Sequence, residues 1–206
     1  MKARPIAPGQ IILASQENDK RDDARGGSFM LPHQQLGALA LGTTPTNGQT
    51  VVITINGTAV TFTAVTGSPT NPGDVKAPGT ALGFVTNLIA ALRRPDLASA
   101  NYVPILSANQ ALIQYVGWAW PGSSTSIVPF SLNKNVNGIV GALTSFSVTT
   151  TVTSGTWTAQ TMRLYIEDGI YYLGTTRVIF NGGSTPTFTA PATNPRIDIV
   201  TADASG

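Results

Sequence analysis

The sequence contains no cysteine. That excludes a disulfide framework, a thiolate metal site and a thiol nucleophile, and it leaves the redox compartment undecided. Histidine occurs once, at His33, so multi-histidine zinc sites are excluded and any Ser-His-Asp arrangement would have to use that residue. No apolar run approaches the roughly 20 residues of a membrane-spanning helix, and none is expected here. Near the N-terminus only Ile11, Ile12 and Leu13 are consecutively apolar, short of the roughly 7–15 residues of a secretory leader. Charge is scarce too: twelve basic and ten acidic side chains give a net +2 over 206 residues, which makes no basic field. The tight basic pair outside the N-terminal segment, Arg93-Arg94, falls at the end of a predicted helix, where the dipole favours cations. A nucleic-acid groove needs clustered Lys and Arg with interleaved aromatics, so no nucleic-acid partner is expected.

The carboxylates offer little to catalysis. Glycoside cleavage needs two carboxyls roughly 5–9.5 Å apart, and the pairs available are Asp22-Asp23, Glu167-Asp168 and Asp198 with Asp203. Glu167-Asp168 precedes Gly169 in a turn, where acids are ordinary turn formers. Asp198 alternates with Ile197 and Ile199, beside Arg196, as in local strand pairing. No Asp-x-Asp-x-Asp-Gly calcium loop occurs. Gly26-Gly27 and Gly182-Gly183 lack the lysine and helix context of a phosphate loop. His33, in Phe29-Met30-Leu31-Pro32-His33-Gln34-Gln35, reads as structural or as surface. No catalytic residue, cofactor site or metal site is expected, and the chain reads as a non-enzyme.

What is present is apolar content of 42%, enough for a packed core, and a lopsided charge distribution. Lys2, Arg4, Glu17, Asp19, Lys20, Arg21, Asp22, Asp23 and Arg25 crowd the first 35 residues. The run 16–27 has too few apolar positions to offset its own ordering entropy. Residues 1–42 are therefore predicted to form an extended arm that orders on a partner, with Arg4, Lys20, Arg21 and Arg25 as candidate contacts.

From Thr43 onward Thr, Ser, Asn, Gly and β-branched residues dominate, the composition of strands and tight turns. Asn56-Gly57 joins two alternating runs, 50–55 and 58–65, a strong hairpin signal. Val51, Ile53, Ile55, Val60, Phe62 and Ala64 should share its buried face. After a Pro/Gly-rich loop comes a predicted helix near 80–94. Thr80 caps it, Ala81, Val85, Leu88 and Leu92 recur at helical spacing flanked by Leu82 and Ile89, and Pro95 ends it. Strands are expected at 102–106 and 111–116, joined by the polar turn Ser107-Ala108-Asn109-Gln110, and again at 126–132 and within 139–153. Short strands then recur at 161–167, 170–173, 177–180, 185–189 and 196–201, separated by turn residues.

The predicted fold is mainly β with one helix. An α+β module of hairpins and helix, 43–153, is followed by an antiparallel β domain, 154–206. Trp118 and Trp120, two apart, should share a strand face beside Pro121-Gly122. With Trp157, Tyr171 and Tyr172 they are the candidates for stacking on a sugar or a partner, with core packing as the competing role.

Two stretches resemble modules of tailed-bacteriophage structural proteins. Residues 48–58 with Phe62, Gly79-Thr80-Ala81 and the helix 85–92 are similar to a "TVTINGT…F…GTA…NLAAAI" unit of tail and appendage proteins. Residues 165–183, and above all Asn194-Pro195-Arg196-Ile197-Asp198-Ile199-Val200 with Asp203-Ala204-Ser205-Gly206, resemble a "V.GG..V.F.GG.TP…AP..NPRIDLV..D.SG" segment of tail fibres and tailspike-like proteins. The resemblance implies a virion structural protein of the tail-fibre or appendage type, anchored to tail, baseplate or collar proteins and assembled as a homotrimer. It implies either the N-terminal portion of a longer fibre or a short adaptor. A host-glycan-binding receptor module and a capsid decoration or cement protein are the alternatives.

Overall fold

The computed structural model describes residues 32–188, except 114, 121–123, 133–142, 160–161 and 174. The predicted strands 196–201 and most of the expected arm lie outside these residues. The chain is mainly β, and its residues divide into two units: one formed by His33–Tyr165 with 185–190, the other containing Ile166–Ser184.

In the first unit the hairpin β3 (Thr50–Ile55) and β4 (Thr58–Val65) forms as the alternation requires, with Val51, Ile53, Ile55, Val60, Phe62 and Ala64 all buried. Its turn places Asn56 at φ 50° and Gly57 at φ 81°, the two positive φ values of a type I′ turn. A parallel strand, β5 (Asp74–Lys76), adds to β4, and β8 (Phe146–Thr150) adds antiparallel to β3, giving the order β5-β4-β3-β8. A second four-stranded sheet has the order β6 (Val116–Ala119), β7 (Ser126–Ser131), β2 (Gly37–Leu41), β9 (Gly155–Ala159). Here β2 pairs antiparallel with both β7 and β9.

The two sheets share a bent double strand. β2 leads into β3 and β8 into β9, and the pairing continues through the bend: Thr151 N–H donates to the Thr50 carbonyl and Gly42 N–H to the Ser154 carbonyl. At the bend the Thr43 hydroxyl donates to the Thr153 carbonyl, and Gln49 Nε2 reaches Thr153 Oγ1 at 3.3 Å.

The predicted helix is α1 (Ala81–Arg93). Thr80 Oγ1 accepts from Gly83 N–H at 3.0 Å, and the first turn beyond Arg93 is closed by Arg94 N–H on the Ala90 carbonyl. Phe84, Val85, Leu88, Ile89, Ala91 and Leu92 are buried, and the helix packs against β5, β6 and β7. One continuous core results, running from Leu39 and Leu41 through Phe62 and Phe84 to Ile127 and Val148. Leu82, a flanking position of the sequence stripe, is exposed, and Phe84 takes the buried place instead.

Several expectations are corrected. Residues 107–113 form a second helix, α2 (Ser107–Ile113), rather than a turn followed by a strand. Only Ile113 of this helix is buried, so no apolar period marked it. Residues 102–106 are not a strand; Tyr102 forms isolated bridges to Val75 and Ser99. Gly37–Leu41, assigned to the extended arm, is the interior strand β2, with Gly37, Leu39 and Leu41 buried alternately. Trp157, assigned to the C-terminal β domain, lies on β9 opposite Leu39.

The short strands β1 (Pro32–Gln34) and β10 (Leu164–Ile166) lie side by side. Residues 185–188, expected as a strand, carry none, although Thr185 and Phe188 N–H groups donate to the Leu164 and Met162 carbonyls. In the second unit β11 (Gly169–Leu173) and β12 (Thr176–Phe180) form an antiparallel two-stranded ribbon, and β13 (Gly183–Ser184) follows.

Candidate functional site

The arm residues Arg4, Lys20, Arg21 and Arg25 lie outside the described residues, and so do Asp22-Asp23, Asp198 and Asp203. The tryptophans are described, and they serve the core. Trp118, on β6, is 7% exposed. It lies 6.2 Å from Phe146, which in turn lies 5.6 Å from Trp157. Trp118 Nε1 has no hydrogen-bond partner among the described residues. Trp120 is half-buried against the same core and donates Nε1–H to the Ser124 carbonyl at 2.8 Å. Trp118 sits on β6 and Trp120 just past its end, and both pack against the core, Trp118 buried and Trp120 half-buried. Tyr172 is 38% exposed, on the ribbon of the second unit opposite Arg177.

His33 is half-buried. Its Nδ1 lies 3.1 Å from the Ser131 carbonyl, and its ring is 5.0 Å from Phe130, which stacks on Tyr165 at 4.8 Å. This is aromatic packing on the second face of β7, where Ala119, Val128 and Phe130 form a small core of their own. Asp74 is buried, and its Oδ2 accepts from Thr70 N–H, Asn71 N–H and Asn71 Nδ2. That is turn-stabilising chemistry. Among the described residues no three of His, Asp or Glu gather into a metal-binding group, and no helix is long and apolar enough to cross a membrane.

The property that sets this body apart is its surface. Between His33 and Tyr165 the only Asp, Glu, Lys or Arg residues are Asp74, Lys76, Arg93, Arg94, Asp96, Lys134 and Arg163, where an ordinary domain has about a quarter of its residues charged. Most exposed strand positions in this unit are instead hydroxyls, Thr58, Thr61, Ser147, Thr149, Thr156 and Thr158, and the others are uncharged too: Gln34, Ala59 and Ala159.

The sheet edges are treated unequally. The outer side of β5 is covered by residues 101–103: Lys76 N–H donates to the Asn101 carbonyl at 2.8 Å and Val103 N–H to the Asp74 carbonyl at 3.0 Å. The outer side of β6 is capped by Arg93, whose Nε and Nη2 donate to the Trp118 carbonyl. β8 and β9 each end their sheet, and among the described residues no strand pairs with their outer side. Because Thr151 N–H donates inward to Thr50 and Asn56 N–H to the Ser145 carbonyl, the odd-numbered residues of β8 bond to β3. Phe146, Val148 and Thr150 therefore direct their main-chain groups outward. Sequence reasoning missed this edge. Its signal was the absence of any charge from 135 to 162.

Comparison with known proteins returns nothing similar to set beside this geometry: no family model, no curated protein and no solved structure matches the chain.

Proposed function

We propose that this chain is a non-enzymatic structural component of a tailed-phage virion, the tail-fibre or appendage part that anchors to the tail or baseplate, working as a homo-oligomer, a trimer. The observation that carries the reading is the charge-poor, hydroxyl-covered β body. A surface with so few ionised groups loses little hydration when it is covered, because polar uncharged groups can exchange water for neighbouring chain. The phage assignment rests on the two motif resemblances, at 48–92 and 165–206. The charged segment 16–27 is the part that orders on another virion protein.

Limited proteolysis tests the docking. Cleavage between residues 16 and 27 should be fast in the isolated protein and suppressed in assembled particles, and equal cleavage in both counts against docking. Locating the chain in an electron-microscopy map of the whole particle tests the site. Density on the tail or an appendage supports the assignment, density on the capsid surface favours a decoration protein, and absence from the particle overturns both. A glycan-binding reading draws no support from Trp118, which is buried.

A further inference from the structure

We infer that the outer edge formed by β8 and β9 is a homotypic interface, pairing strand to strand with a second copy of this chain. The inference rests on the homo-oligomer reading above; an antiparallel edge contact is two-fold and joins copies in pairs, so it adds to a three-fold ring and does not form it. An unpaired edge is a template for strand addition, and natural sheets guard such edges with charge, proline, bulges or a covering segment. This chain guards two of its edges by those means, with the segment 101–103 along β5 and the Arg93 guanidinium on β6. From Phe146 to Ala159 it uses none of the sequence devices: the stretch has no charged residue and no proline.

The composition of the edge selects its occupant. Two identical edges that meet antiparallel about a two-fold axis set residue i of one copy opposite residue j of the other and j opposite i, so a row of charges of one sign would face its like. An uncharged row of Ser147, Thr149, Thr151, Thr156 and Thr158 meets itself with no such repulsion, and threonine pairs across strands favourably. A basic or acidic peptide would find no opposite charge there. The outward amides of Phe146, Val148 and Thr150 supply the ladder.

The test uses the full chain, with sedimentation velocity over a concentration series and hydrogen exchange read at individual amides. The variant is Ser147→Lys with Thr149→Lys, at two exposed positions of the edge. The control is Thr61→Lys, at an exposed position in register with Val52 and Thr149 but on the interior strand β4. The wild type should associate with Phe146, Val148 and Thr150 amides protected. The double variant should weaken association by about 100-fold through like-charge repulsion, and those three amides should then exchange freely while the inward Thr149 amide stays protected. Thr61→Lys should associate as the wild type does.

Fast exchange of the three amides in an associated wild type would overturn the edge proposal while leaving the assembly reading intact. So would their undiminished protection in a monomeric double variant, which would place this chain's own segment on the edge. Equal disruption by Thr61→Lys would point to the sheet face and also reject the edge. A wild type that stays monomeric at every concentration and is missing from particles would remove the assembly reading itself.

Discussion

Arg93 holds the main-chain carbonyl of Trp118 in a forked grip, Nε at 3.2 Å and Nη2 at 3.0 Å. The last turn of α1 thereby closes the outer side of β6, and one side chain both ends a helix and caps a sheet. This exceeds the favourable dipole interaction that the Arg93-Arg94 pair implied; the Arg94 side chain makes an exposed 3.4 Å contact with Asp96.

Arg93→Ala should therefore lower unfolding free energy by about 1–2 kcal/mol, the range for a charge-assisted hydrogen bond at a partly exposed site. Arg94→Ala should cost less than about 0.5 kcal/mol, as exposed ion pairs do. Urea denaturation of the two variants checks the difference. Equal losses would mean that the grip on β6 contributes nothing.

Asn56 works twice in the β3–β4 turn. It adopts positive φ, and its Oδ1 accepts from Thr144 N–H at 2.7 Å and Thr144 Oγ1 at 3.0 Å. Asn56→Gly keeps the backbone freedom and loses the acceptor, so it should cost about 1 kcal/mol. Asn56→Ala loses both and should cost about 1–2 kcal/mol more, the strain of a left-handed alanine. Thermal unfolding of both variants separates the two roles.

Gly117, on β6, lies against the ring of Phe130, and a methyl group there would overlap that ring. Gly117→Ala should destabilise by about 1–3 kcal/mol through overpacking. Gly67→Ala, with open space around it, should stay within about 0.5 kcal/mol of the wild type. Denaturation midpoints measured side by side provide the check.

Phe62 is fully buried at the centre of the hairpin's inner face, whereas Leu106 is 61% exposed. Phe62→Ala should cost about 3–5 kcal/mol and Leu106→Ala less than about 0.5 kcal/mol. A small loss at Phe62 would show that the core closes around the gap.

The parts of this fold that were legible in advance are those whose signal is local. Asn56-Gly57 between alternating runs, and Thr80 and Pro95 around a helical period, each specify their element through neighbouring backbone sterics and capping. The short α2 was not legible: seven residues with one buried side chain give no period to detect, and its polar opening reads equally well as a turn. Trp118 and Trp120 were placed on one strand by spacing, but whether that face met solvent or core depended on Phe146, 28 positions away from Trp118. Gly37–Leu41 shows the same limit. Its alternation of Leu39 and Leu41 was readable, and its place inside a sheet depended on residues 155–159.

By itself, then, the sequence determined the β-dominated class, the hairpin, the main helix and the scarcity of charge, since turn preferences, capping and burial periodicity act over a few residues. Tertiary structure alone decided that two sheets share a bent double strand, that the tryptophans pack against the core, and that two sheet edges are covered while β8 and β9 have no strand on their outer side among the described residues. Each of those outcomes depends on contacts between segments far apart in the chain, which local preferences do not encode.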